Sequence, residues 1–143
     1  MAGNRRLGSP RLTLLFCLLS NLIFWGCPSF AQDANNPGPV DQFPGLIKSA
    51  NVRGMTPHFN SSLELTIQGR KQSCGPAQAE VILKNFFTKN PPRDFKLLHK
   101  GSAAHGGTYM MGTLTTTAGT RFRTTLVFFT KNGRDLVHQM RFE

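Results

Sequence analysis

The sequence predicts an α+β fold in which helices from the first half of the domain cover one face of an antiparallel sheet. Residues 109–142 alternate apolar and polar side chains around two turn signals, Ala118-Gly119 and Asn132-Gly133, which indicates three antiparallel strands. One face of these strands is almost wholly apolar and needs a cover. Segments with helical spacing precede them, so the predicted order is helix, helix, strand, helix and then four strands, with no internal repeat.

The register of these strands follows from the turns. Asn132-Gly133 supplies the two positive φ values of a type I′ turn, so Lys131 is expected opposite Arg134. A two-residue turn at Ala118-Gly119 would place Leu114 opposite Arg123. On this register the face expected to contact the core carries Met110, Leu114, Val127, Phe129, Leu136, Met140 and Phe142, with Arg123, Thr125 and His138 as its polar members.

The opposite face of the same strands mixes aromatic residues with threonines. It is too apolar for a fully solvated surface and too polar for a core. We therefore predict a subunit or partner interface there, formed by Tyr109, Met111, Phe122, Leu126 and Phe128.

The N-terminus has the pattern of a secretory signal peptide. Basic residues up to Arg11 precede an apolar run over residues 12–25, and Ser29-Phe30-Ala31 offers small residues before a cleavage site after Ala31. The run is too short and too poorly flanked for a membrane span. We predict export to the periplasm or the medium, with no transmembrane anchor after cleavage.

A lipoprotein signal is the alternative for this segment. Cys27 would then be the lipidated residue, since Gly26 and an apolar segment precede it. The bulky pair Phe24-Trp25 just before it is unfavourable for that signal.

Removal of residues 1–31 would leave Cys74 as the one cysteine, so the fold must be stabilised by packing without an internal disulfide. Residues 32–40, rich in Asn, Pro and Gly, are expected to form a flexible linker, and residues 41–143 a single domain. That domain stays basic, which favours anionic envelope partners such as lipid headgroups or acidic glycans. Scattered lysines and arginines also fit a merely solvated surface, and no nucleic-acid motif is present.

Three elements are predicted ahead of the longest helix. Asp41 is expected to cap a first helix, and a short second helix should begin at Asn51. Residues 62–68 alternate as a half-buried strand.

The longest helix should start with Pro76 at its first position and end before Asn90-Pro91-Pro92. A strand over residues 95–100 follows. Gly112 lies in mid-strand, where glycine indicates a bend or the close approach of another chain segment.

Several sequence blocks resemble a family of short exported bacterial proteins described as domain of unknown function 4783. The resemblance covers about residues 41–143. It implies a fold similar to nuclear transport factor 2, also called cystatin-like, in which a strongly curved antiparallel sheet wraps around helices and often leaves a conical pocket. The family carries no assigned activity and so implies no catalytic residue. The blocks are Phe59-Asn60-Ser61-Ser62, Glu64-Leu65-Thr66-Ile67, Ala77-Gln78-Ala79-Glu80, Ile82-Leu83-Lys84, Phe86-Phe87, Asn90-Pro91-Pro92, His99-Lys100-Gly101-Ser102, Gly112-Thr113-Leu114-Thr115-Thr116 and Asn132-Gly133.

In such a fold any site would lie on the concave face, near the polar residues expected there. The pocket candidates are His138, Arg123, Thr125, Met110, Val127 and Met140. Acid–base catalysis needs a positioned carboxylate or histidine with an orienting partner, and no carboxylate is expected beside His138. Cys74 is expected to pack as a small apolar residue rather than to act as a nucleophile. The histidines are dispersed, so we predict no metal and no cofactor.

The sequence thus favours a non-catalytic binding or self-associating domain of the cell envelope, as a homodimer or with a protein partner. One alternative is a carrier of a small apolar ligand in the concave pocket. A second alternative is an isomerase- or dehydratase-like enzyme that uses His138 as its base.

Overall fold

The computed structural model describes residues 38–143. The predicted signal peptide, Cys27 and residues 32–37 of the predicted linker lie outside the described range. The end of that linker was predicted wrongly, because Pro39 and Val40 belong to the first helix and Val40 is buried. Within that range no helix is long and apolar enough to cross a membrane.

Three helices and six strands follow one another in the described chain. The predicted order of elements is confirmed, with one addition, the second strand. That strand escaped the sequence analysis because its residues Arg70-Lys71-Gln72-Ser73 are polar and exposed, without the alternation of a half-buried strand. The elements are α1 (Pro39–Lys48), α2 (Val52–Met55), a 3₁₀ turn (Thr56–His58), β1 (Phe59–Ile67), β2 (Arg70–Cys74), α3 (Pro76–Lys89), β3 (Pro92–Ser102), a 3₁₀ turn (Ala104–Gly106), β4 (Thr108–Thr116), β5 (Arg121–Lys131) and β6 (Arg134–Phe142).

The strands form one curved sheet in the order β2-β1-β6-β5-β4-β3. Neighbours are antiparallel except β1 and β6, which run parallel with Glu64 opposite Gln139. The sheet is therefore mixed rather than purely antiparallel. The strand that comes last in the sequence lies at its centre.

The helix starts are set by local residues. Gly38, not Asp41, is the N-cap of α1, because Pro39 occupies the first helical position, where its missing N–H is no loss. Asp41 lies in the first turn and forms an ion pair with Lys100 of β3. The short second helix begins next to Asn51, where it was predicted, and Asn51 is its N-cap, accepting a hydrogen bond from the Gly54 N–H over 3.0 Å.

The core lies between the helices and one face of the sheet, which we call the helix-covered face. Aromatic rings make up much of it. The ring centroid of Phe86 in α3 lies 5.2 Å from that of Phe122 and 4.9 Å from that of Phe142. Phe43 of α1 packs edge-on against Phe128, with ring centroids 5.1 Å apart. Such pairs add to the free energy of burial itself. The opposite side of the sheet, which we call the open face, carries no helix of the described chain.

The predicted register was wrong at the first of the two turns. Thr116 pairs with Thr120, so the loop has three residues, and Gly119 takes the positive φ of 86°. Leu114 consequently lies opposite Phe122 rather than Arg123. A shift of one residue moves every side chain of β5 to the other face of the sheet.

The second turn is confirmed, since Asn132 and Gly133 have φ values of 52° and 72° and Lys131 pairs with Arg134. A β-bulge at His138 then shifts the register, so that Phe128 is opposite Val137 but Val127 is opposite Gln139.

The face assignments change as a result. Of the residues expected in the core, Val127, Phe129 and Leu136 lie half-buried on the open face instead. Of those expected at an interface, Phe122, Leu126 and Phe128 are buried in the core.

Glu80 links α3 to the turn before β1. Its carboxylate accepts from Lys84 and, over 3.2 Å, from the Thr56 hydroxyl, and these contacts, chiefly the Lys84 hydrogen bond, hold the pKa of Glu80 below its ordinary value. A lowered folded-state pKa contributes stability above the unfolded-state pKa and loses it as pH falls through the folded-state value.

We therefore expect the free energy of unfolding to fall as the pH is lowered from about 5 towards 3, and this dependence to be shallower in Glu80→Gln. Urea denaturation at several pH values measures it. Lys84→Gln should flatten the curve in the same way, whereas Lys89→Gln, on the same helix, should leave it unchanged. An unaltered slope in Glu80→Gln would contradict the assignment.

Candidate binding site on the open face of the sheet

A groove of about 340 Å³ opens on the open face, lined by residues of the four neighbouring strands β2, β1, β6 and β5. We call it the bulge groove, because the strand pairing is irregular on both sides of it. The bulge in β6 leaves His138 unpaired, and the β1–β6 register shifts between Phe59 and Glu64. Interrupted ladders leave space between side chains that a regular pleat would fill. The groove is lined by Ser62, Glu64, Ser73, Val127, Phe129, His138 and Gln139.

The bulge exists because β6 must bury two residues that are three positions apart. Val137 and Met140 are both fully buried on the helix-covered face. Strict alternation would send one of them outward, so one extra residue is inserted between them. As a result, His138 and Gln139 both lie half-buried along the groove.

The His138 imidazole is held by an amide. Asn60 Nδ2 lies 3.4 Å from His138 Nδ1 and donates to the Ser62 carbonyl oxygen over 3.0 Å. The second bond sets the amide orientation, because the reversed amide would place two oxygens against each other. We therefore assign Nδ1 as the acceptor and place the proton of the neutral ring on Nε2. The nitrogen left for a ligand is an N–H donor rather than a base.

Glu64 is a fixed acceptor in the groove. Its Oε1 accepts from Gln139 Nε2 over 2.8 Å, and its Oε2 lies 2.8 Å from Lys71 Nζ. Both oxygens are thus engaged, and the amide of Gln139 is oriented by the bond. The carboxylate orders the groove wall rather than standing unpaired beside His138.

The remaining wall combines hydroxyls with an aromatic ring. Ser62 Oγ and Ser73 Oγ lie 3.0 Å apart across β1 and β2. Phe129 packs edge-on against His138, with ring centroids 5.0 Å apart. A ring N–H, two hydroxyls, an oriented amide and an apolar wall thus meet within one hollow.

The structure separates the predicted pocket residues. His138 and Val127 both line the groove. Thr125 and Arg123 lie on the same face, further along β5. Met110 and Met140 are 0% exposed and belong to the core on the other side of the sheet. The predicted pocket was therefore assigned to the wrong face.

Of the predicted interface residues, Tyr109 and Met111 are half-buried on the open face. Sequence reasoning missed Asn60, Ser62, Ser73 and Gln139 as site residues. One signal was present, since Val137-His138-Gln139-Met140 places two polar residues between two apolar ones and so breaks the alternation of a strand.

Two other features concern reactive chemistry. Burial raises the pKa of the Cys74 thiol, whose Sγ lies 3.8 Å from the Leu63 carbonyl oxygen within the core. Within residues 38–143, no three His, Cys, Asp or Glu side chains are grouped so that they could hold a metal ion. A second hollow, of about 280 Å³, lies on the helix side between α3 and the β1–β2 hairpin, with Arg70 and Lys89 among its lining residues.

Comparison with known proteins agrees with this architecture. A crystal structure of a DUF4783 family protein from Bacteroides fragilis YCH46 is 28% identical, covering 76% of this chain and 97% of that one with a TM-score of 0.66. One from Bacteroides ovatus ATCC 8483 is 26% identical over 75% of this chain and 93% of that one, also with a TM-score of 0.66.

An NTF2-like protein of unknown function from Cytophaga hutchinsonii, 8% identical over 73% of this chain and 85% of that one, shares the fold with a TM-score of 0.53. No curated protein sequence matches the chain. The sequence profile of the family described as Domain of unknown function (DUF4783) matches residues 41–143. The chain therefore belongs to the DUF4783 family and has the NTF2-like fold that the resemblance implied.

Proposed function

We propose that the protein is a non-catalytic binding domain whose bulge groove takes a small hydroxyl-rich molecule, such as one sugar residue. The observation that supports this is the set of groups on the groove wall. The His138 ring N–H donates, the Ser62 and Ser73 hydroxyls donate or accept, and the oriented Gln139 amide offers a further polar edge. Phe129 and Val127 supply an apolar side against which the C–H groups of a sugar can pack.

The same contacts argue against the isomerase- or dehydratase-like alternative. A general base needs an acceptor nitrogen or a free carboxylate within reach of the substrate proton. The outward nitrogen of His138 carries the proton, and both oxygens of Glu64 are already engaged. The groove therefore holds donors and oriented acceptors but no available base.

The apolar-ligand alternative loses support from the core. The residues expected to hold such a ligand, Met110 and Met140, are buried among the aromatic rings between helices and sheet.

Export to the cell envelope, as inferred from residues 1–31, remains part of the proposal. Self-association through the open face also stays a prediction, now with Val127, Phe129 and Leu136 beside Tyr109 and Met111.

NMR titration tests the groove. Methyl β-glucoside, added to millimolar concentration, is expected to shift the amide signals of Ser62, His138 and Gln139. His138→Ala should weaken that binding about tenfold, the effect of losing one well-placed hydrogen bond. His99→Ala, an exposed histidine on β3, is the matched control and should bind like the wild type.

Laurate serves as the competing probe in the same experiment. Shifts at the methyl signals of Met110 and Met140 with laurate, and none at the groove with the glucoside, would favour the carrier instead. If neither the glucoside nor laurate binds saturably, both proposed functions are wrong.

A further inference from the structure

A line of arginines runs along the open face away from the bulge groove. Phe122 and Thr124 point into the core, so Arg121 and Arg123 on β5 lie outward and are exposed. Arg141 of β6 lies opposite Thr125 on the same face. We call Arg121, Arg123 and Arg141 the arginine strip.

The strip is continuous with the groove. Every second residue of β5 faces outward, from Arg121 through Arg123 and Thr125 to Val127 in the groove wall. At about 3.4 Å per residue the distance from Arg121 to Val127 is about 20 Å. On β6, Arg141 is two residues beyond Gln139, so a guanidinium lies one outward position from the groove lining. The bulge groove and the arginine strip together therefore suit an extended chain molecule rather than a single small ion.

The positive charge of this strip is poorly compensated by the described chain. Most acids of residues 38–143 are engaged away from the strip: Asp41 with Lys100, Glu64 with Lys71, Glu80 with Lys84, Asp94 with Lys48 and Asp135 with Thr130. The exception is Glu143, which pairs with Arg141 and lies opposite Arg123. Neither Arg121 nor Arg123 has an acid partner within that range. Arg141 Nη2 donates a hydrogen bond to Glu143 Oε1, while the buried Nε of Arg141 has no acceptor within residues 38–143.

We infer that the open face binds an extended acidic polysaccharide, with one sugar residue in the bulge groove and the carboxylates of its neighbours on the arginine strip. The inference rests on the proposed function of the groove and adds the charge and length of the ligand. Guanidinium groups pair with carboxylates through two parallel hydrogen bonds, which favours them over lysines for this task. Thr113 and Thr115 of β4 lie opposite Arg123 and Arg121, and Thr125 lies opposite Arg141, so that their hydroxyls are available to sugar oxygens beside the charges.

Other anionic partners fit the face less well. Single-stranded nucleic acid needs a series of exposed rings on which successive bases stack, but the arginine strip carries none: Phe129 lies in the groove, and the Tyr109 ring lies over Gly101. A membrane surface needs apolar side chains that project into the headgroup region, whereas the strip is bordered by threonines and ends in a polar groove.

Calorimetric titration with hexagalacturonate tests the inference, and its fully methyl-esterified form serves as the uncharged probe. We expect the acid form to bind more tightly and its affinity to fall as salt is raised. Arg121→Gln combined with Arg123→Gln should weaken binding of the acid form about tenfold, a few-fold for each exposed ion pair lost, and leave the ester unchanged. Arg70→Gln, on the helix side of the sheet, is the control for the loss of an arginine outside the strip and should have no effect.

Several outcomes would overturn the inference. They are equal affinity for acid and ester, an equal loss in Arg70→Gln, or tighter arginine-dependent binding to phosphatidylglycerol vesicles or to oligothymidylate. The groove is tested separately by His138→Ala with the ester. If that variant binds the ester normally while the strip variants lose the acid form, the groove function fails and the strip remains the binding surface.

Discussion

Replacing Phe128 by serine is expected to lower the free energy of unfolding by about 4 kcal/mol, whereas the same change at Phe129 should cost less than about 1 kcal/mol. Phe128 is 1% exposed and packs edge-on against Phe43 in the core. Phe129 is half-buried on the open face. Loss of the buried ring leaves a cavity and a hydroxyl without a partner, while the serine at 129 can reach water.

Urea denaturation of the two variants measures the difference, and each serves as the control for the other because the chemistry and the strand are the same. The comparison is a direct test of the register of β5. With the two-residue turn that Ala118-Gly119 suggested, Phe129 would be in the core and the order of the two effects would be reversed. Equal losses would contradict either register.

Gly112→Ala is expected to lower the free energy of unfolding by about 2 kcal/mol, as overpacking of a filled core does. A Cβ at this position would lie 2.4 Å from the Phe95 ring and 2.7 Å from the Lys96 carbonyl oxygen, and the backbone oxygen cannot move aside. Thermal or urea unfolding measures the loss. Adding Phe95→Leu should recover part of it, since only the contact with the ring is relieved.

Gly45→Ala is the matched control for Gly112→Ala. Gly45 lies within α1, where an added Cβ meets nothing within 4 Å, so the change should stabilise the protein by about 0.5–1 kcal/mol through helix propensity. The two glycine substitutions should thus have opposite signs. A neutral Gly112→Ala would show that β3 does not approach β4 as closely as described.

The class and order of the elements could be predicted from the sequence because strong local signals determine them. The helix starts at Pro76 and near Asn51 and the type I′ turn at Asn132-Gly133 each have a local physical cause. At Gly112 the sequence predicted a bend or the close approach of another backbone, and the structure shows that approach, since an added Cβ would lie 2.7 Å from the Lys96 carbonyl oxygen. Family resemblance added the curvature of the sheet.

The site was harder to predict because it depends on two one-residue shifts. Ala118 would need a positive φ in a two-residue turn, which an alanine resists, so the chain uses a three-residue loop with Gly119 in that conformation. The bulge at His138 depends on which side of β6 faces α3, a tertiary requirement that alternation alone does not encode. Each shift reverses the face of a whole strand segment, which moved the predicted pocket to the wrong side.

The position of β6 between β1 and β5 governs how the fold can be assembled. Glu64 of β1 pairs with Gln139 of β6, which is separated from it in the sequence by most of the domain. Until β6 has been synthesised, no strand joins the β1–β2 hairpin to the three strands β3, β4 and β5. Contacts between such distant positions form slowly, because the loop they close is long. The two halves of the sheet therefore each keep a strand edge open to wrong pairing until β6 has been synthesised and joins them.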